Sequence, residues 1–189
     1  MRWVPATLLV ALAGVTLAGC GSGPERVIVT ATGRIGPLHV DESDRAGVIS
    51  FAGAPESERH GRYLASFHPF DALGYQCAGK AATSNTGIPQ CKTVFYLDSP
   101  SGKLALLYTE DARYLDPHGV HAGTRTPVAE HRLHKHAFNG CYSGFRFDTG
   151  KAFLVMWLDG GTKRVGDHVG FLVVHSRRLN PGVLDCIDS

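Results

Sequence analysis

The chain has 189 residues, 19 basic against 17 acidic, with ten histidines, five cysteines and 43% hydrophobic residues. This length suits one sizeable domain or two small fused ones. The near-neutral balance and the lack of a basic run exclude the electrostatic footprint of a nucleic-acid binder.

The first nineteen residues read as a secretory leader. Arg2 is followed by an apolar stretch from Ala6 to Ala18, bounded by Pro5 and interrupted by Gly14. That run is shorter than the ~20 apolar residues of a membrane-spanning helix. Leu17-Ala18-Gly19-Cys20 then matches the bacterial lipoprotein signal, in which the cysteine thiol takes a diacylglycerol thioether and the freed amine is acylated. A multiply acylated cysteine anchors stably. The expected organisation is a signal peptide over 1–19, a lipidated tether over 20–26 and a globular domain over 27–189. Cys20 would be the lipid attachment site. Removal of residues 1–19 leaves 170, with 18 basic against 17 acidic.

With Cys20 acylated, Cys77, Cys91, Cys141 and Cys186 remain, an even number in an exported chain. Disulfides are expected, with three connectivities open. The pairing favoured is Cys77–Cys91, closing a loop rich in Gly, Ser, Asn and Pro, together with Cys141–Cys186, stapling the C-terminal tail. Zinc ligation wants paired short spacings such as C-x2-C, which the chain lacks.

In chain order, Val27-Ile28-Val29 reads as a short strand and Gly33 to Pro37 as a turn-rich connector to Leu38-His39-Val40. Asp41 or Ser43 caps an expected helix carrying Val48, Ile49 and Ala52, which Gly53 and Pro55 stop. Glu56 to Lys80 has no clear period. Thr93–Leu97 and Leu104–Tyr108 read as strands around a hairpin turn. Thr126-Pro127 starts a helix to about His136. Phe145–Phe147, Phe153–Leu158 and Gly170–Val174 read as three more strands. The expected fold is α+β, two layers with short helices packed on an antiparallel sheet. A faint repeat sets Leu38-His39-Val40-Asp41 against Val120-His121-Ala122-Gly123, 82 residues on, with Ala46 against Val128 and Phe51 against Leu133. It is compatible with a duplication into 27–112 and 113–189 and with chance alike.

The stretch from Gly36-Pro37-Leu38-His39-Val40 to Gly53-Ala54-Pro55 resembles the opening of small outer-membrane assembly lipoproteins and of the tandem-repeat β-lactamase inhibitor protein. With its Gly182-Val183-Leu184-Asp185-Cys186 ending, the whole chain resembles uncharacterised actinobacterial lipoproteins. The inhibitor resemblance implies repeats of a helical segment packed on an antiparallel sheet that presents a protein-binding face. Gly47 in the first helix and the histidines of the second depart from the family pattern, and no binding residue is carried over.

Three constellations bear on chemistry. Five histidines, His118, His121, His131, His134 and His136, crowd one segment; His131 and His134 share a helical face and could ligate a metal. Cys141, after Phe138-Asn139-Gly140, resembles the nucleophile of L,D-transpeptidases, with His118-Gly119 upstream; the family's triplet histidine is missing, and a free thiol would break the even cysteine count. His68, Asp71 and Ser143 make a triad only by construction. No G-x-S-x-G, H-E-x-x-H, P-loop or Rossmann glycine pattern occurs. The expectation is a lipid-anchored, non-enzymatic binding or scaffold protein on the extracytoplasmic face of the cell membrane, or of an outer membrane where there are two. Its partners would be the membrane and another envelope protein, with no nucleic acid, no cofactor and no resident metal. A cysteine enzyme using Cys141 and a histidine-cluster metal binder are the alternatives.

Overall fold

Several strands are apolar along their whole length instead of alternating, and the reason is that the sheet they form is buried on both faces. All seven side chains of Ala152–Leu158 are buried. Phe95, Leu97, Leu107, Phe145, Leu154, Met156, Leu172 and Val174 point to one core cluster. Their neighbours Val94, Tyr96, Leu106, Phe153, Val155, Trp157 and Val173 point to another.

The computed structural model describes residues 25–63, 68–78, 91–139, 143–159 and 166–179. Their elements are β1 (Val27–Ile28), β2 (Arg34–Ile35), β3 (Leu38–His39), α1 (Arg45–Ala52), β4 (Ser57–Tyr63), β5 (His68–Cys77), β6 (Cys91–Asp98) and β7 (Lys103–Thr109). They continue with β8 (Tyr114–Leu115), α2 (Thr126–Leu133), β9 (Phe138–Asn139), β10 (Ser143–Asp148), β11 (Ala152–Leu158) and β12 (Val169–Ser176). The main sheet runs β4-β5-β6-β7-β12-β11-β10-β9, antiparallel throughout.

This corrects the α+β expectation. The described residues are mostly β: one large antiparallel sheet with seven long strands and the two-residue β9, against two helices of eight residues each. The error lies in Glu56–Lys80, where β4 and β5 form an antiparallel pair. β4 is Ser-Glu-Arg-His-Gly-Arg-Tyr, a polar edge strand of the kind that keeps a sheet from pairing with strangers, so it carries no apolar alternation. Pro69, Asp71 and Gly74 break up the signal of β5.

Among the described residues no helical layer covers the first face. Val29, Ile35, Leu38, Val40, Tyr114, Val120 and Ala122 come from loops and short ladders, joined by Val48 of α1 and Ala129 and Leu133 of α2. α1 is capped by Asp44, whose carboxylate accepts from the Gly47 amide at 3.0 Å. The expected caps Asp41 and Ser43 lie just upstream. α2 begins at Thr126 as expected but ends at Leu133, with His134 in the left-handed region. Among the described residues no helix is long and apolar enough to cross a membrane.

The two halves carry the same succession of backbone contacts. The bridge Val29–Ile35 recurs as Leu115–His121, and Asp44–Lys103 recurs as Arg125–His168. The amide of Asp41 donates to Leu104 O, and that of Gly123 to Val169 O. Leu104 donates back to Ser43 O, and Val169 to Thr124 O. β7 and β12, the matching last strands, meet antiparallel at the centre of the sheet, in the register Leu107↔Val174 and Thr109↔Leu172. Keeping step from Lys103 and His168, Asp111 corresponds to Ser176 and Arg113 to Arg178.

Candidate functional site

An open cleft of about 850 Å3 lies between the segment before α1 and the β10–β11 end of the sheet. One wall is Thr32 with His39 to Glu42; the other is the β10–β11 turn, Thr149 to Ala152, with Arg177 and Arg178 after β12. Gly150, at φ 82°, gives the turn its left-handed step. The Thr149 hydroxyl donates to Ala31 O at 2.7 Å and ties the turn to the opposite wall. Asp41 sits at φ 66°, a conformation that Asp adopts more readily than most residues. Its amide is held by Leu104 O at 2.7 Å, and its carboxylate accepts from the buried Ser176 hydroxyl at 2.8 Å.

The charges split between the walls. Asp41 and Glu42 stand on the N-terminal side, and Lys151, Arg177 and Arg178 on the C-terminal side. Arg177 pairs with Asp148 at 3.2 Å. Among the described residues Lys151, Arg178 and Glu42 have no side-chain hydrogen bond or ion pair.

The place matching Arg178 in the first half is closed instead. Asp111 accepts from the Arg113 amide at 2.9 Å and from its Nε at 2.7 Å, and Gln76 Nε2 donates to the same carboxylate at 2.8 Å. Burial pulls the Asp111 carboxyl upward, but these donors and the Arg113 charge together hold it below its ordinary value.

Beside the cleft, His175 is buried and stacked on Phe153, ring centroids 4.8 Å apart. The guanidinium of Arg146 lies over the same Phe153 ring at 4.4 Å and that of Arg177 at 5.5 Å. His175 Nε2 has no hydrogen-bond partner among the described residues. Burial lowers its pKa.

Cys77 and Cys91 are joined by a disulfide across paired residues of β5 and β6. A Cβ on Gly74 would come within 2.5 Å of Cys91 Sγ, so glycine is what lets the bridge sit over β5. The leader, Cys20, Cys141 and Cys186 lie outside the described residues. His131 and His134 stand with ring centroids 6.3 Å apart. His121 Nδ1 bonds Ala122 O, and His136 lies 3.4 Å from Glu130. Among the described residues no three His, Cys, Asp or Glu side chains gather as a cation site. Asp71 accepts from His60 at 2.6 Å and from the Ser99 hydroxyl at 3.1 Å. The carboxylate is thus in the middle, and no base holds the hydroxyl as a nucleophile would need. Ser143 is buried, and His118-Gly119 forms an exposed turn in which the His118 amide donates to buried Asp116 at 3.0 Å.

No residue of the cleft is a binding candidate from the sequence alone; His39, Val40 and Asp41 carry only the repeat and cap signals. The cleft walls come from distant parts of the chain and share no motif. The one readable signal, Asp111-Ala112-Arg113 against Ser176-Arg177-Arg178, needs the alignment of the halves to be seen.

No family model matches the chain, and no curated protein matches it. A solved structure similar to it is that of a DUF4309 family protein (YjgB) from Bacillus subtilis. The identity is 14%, covering 78% of this chain and 90% of that one, at a TM-score of 0.46.

Proposed function

We propose that the protein is a lipid-anchored binding module on the extracytoplasmic face of the bacterial cell envelope, and that it binds through the cleft. The lipobox at Cys20 supports the address. The observation that carries the binding role is the pair of oppositely charged walls, with Lys151, Arg178 and Glu42 unpaired. Charged groups kept apart on facing walls are arranged for a partner rather than for the fold. Another protein of the envelope, or a short peptide derived from one, is the expected partner.

Two measurements test the reading. Mass spectrometry of the mature chain should find acylated Cys20, and Cys20→Ala should leave the membrane fraction; a membrane-free native chain with unmodified Cys20 overturns the anchor. A photocrosslinking residue at Thr32, in the cleft, should give an adduct in intact cells that the same residue at exposed His60 does not. Equal or absent adducts overturn the cleft as the binding element. A thiol count on the denatured, unreduced mature protein tests the cysteine-enzyme alternative: the binding module predicts no free thiol.

A further inference from the structure

We infer that the cleft takes a small zwitterionic molecule, such as a short peptide with free ends, with its carboxylate on Arg178 and Lys151 and its ammonium toward Glu42. This rests on reading the cleft as a binding site. The inference is carried by a comparison inside the chain. Asp111 and Ser176 occupy matching places after β7 and β12 and form the same local turn. The Arg113 amide donates to Asp111 Oδ1 at 2.9 Å, and the Arg178 amide donates to Ser176 Oγ at 3.0 Å. The side chain of Asp111 has a second oxygen, which takes the Arg113 guanidinium at 2.7 Å. A serine has only one oxygen, and this one is already shared between the Arg178 amide and Asp41. The exchange of carboxylate for hydroxyl keeps the turn and leaves the Arg178 guanidinium unclaimed.

A free guanidinium presents a planar fork of donors that matches a carboxylate or phosphate with two parallel hydrogen bonds. Lys151, on the neighbouring turn, adds a second cation to the same wall. Glu42 and Asp41 opposite then decide between anions. A compact inorganic anion is repelled by that wall, whereas a molecule with a positive far end is attracted by both. The volume of about 850 Å3 is that of a small-molecule or short-peptide site.

The test is calorimetric titration of the detergent-solubilised full-length protein with trialanine, N-acetyl-trialanine, trialanine amide and inorganic phosphate. Trialanine should bind saturably. The amide should bind about tenfold more weakly or worse, and Arg178→Gln should weaken trialanine by the same factor, as expected for a lost charge-assisted hydrogen bond. Acetylation and Glu42→Gln should each cost a smaller factor. Ser176→Asp, which offers Arg178 the partner that Arg113 has, should mimic Arg178→Gln. Because it places a buried carboxylate beside Asp41, the exposed Arg178→Gln carries the decision. Free peptide and amide binding alike, or trialanine binding untouched by Arg178→Gln, overturns the assignment. Phosphate binding that Arg178→Gln abolishes and Glu42→Gln leaves alone overturns the ligand class while the cleft stands as a binding site. Silence of all four probes also overturns the ligand class, and the crosslinks from Thr32 then judge the cleft separately.

Discussion

In the first half of the molecule Asp111 takes up the guanidinium of Arg113, with Gln76 as a further donor; in the second, Ser176 stands in the same place and Arg178 faces the solvent. At this place the two halves make the same turn, with the Arg113 amide on Asp111 and the Arg178 amide on Ser176, so here the difference lies in the side chains. The β5–β6 connection is long and closed at its base by Cys77–Cys91, whereas β10 and β11 are joined by a tight turn over Thr149–Lys151. α1 has a side-chain cap and α2 has none, relying on Pro127 in its first turn. The first half closes this place with local bonds, whereas in the second Arg178 has no side-chain partner among the described residues.

That contrast makes predictions that can break it. Cys77→Ser with Cys91→Ser should have the largest effect, a loss of about 3 kcal/mol for a loop of this length, read as a lower urea midpoint. No shift would mean that the first half needs no staple and that the halves do not differ in this respect. Asp44→Ala should cost about 1 kcal/mol, and Arg125→Asp should gain about half that by giving α2 the cap it lacks. Equal and opposite effects too small to measure would show that both helices are held by their buried faces instead.

The smallest effect concerns pH. Burial holds the His175 imidazole below its ordinary value, so the folded chain keeps it neutral. The unfolded chain takes up that proton near pH 6.5, so stability present above this pH is lost as the pH falls below it toward the folded value. The matching residue of the first half, Glu110, is exposed. His175→Phe should therefore flatten the fall in Tm between about pH 7 and pH 5. It also removes the bond between His175 Nδ1 and Ser176 O at 3.0 Å, so a loss of about 1 kcal/mol is expected at neutral pH. An unchanged slope would place the pH dependence elsewhere.

What the sequence reveals follows from how locally each feature is encoded. β6, β7, β11 and β12 are legible because long apolar, β-branched and aromatic runs need no context, and β10 shows only through Phe145-Arg146-Phe147 before its turn. The start of α2 is legible because Thr126-Pro127 is a local signal. β4 is not, because a polar edge strand is defined by the neighbour it lacks, and the α+β expectation fails with it. The cleft is least legible of all: Glu42 and Arg178 lie at opposite ends of the chain, and an unpaired charge is visible only once its surroundings are known.

With the chain held by the proposed anchor, the parallel ladder of β1 with β8 would set the direction of mechanical load. Val27 donates to Arg113 O and Val29 to Leu115 O, each at 2.9 Å, so the first described strand, just after the proposed tether, is sewn into the second half. A tug from the membrane on that strand would pull both halves in shear together instead of unzipping one from its end. The clasp also lies next to Asp111-Arg113, so force on the anchor would be felt first at the satisfied pair and only afterwards in the open cleft.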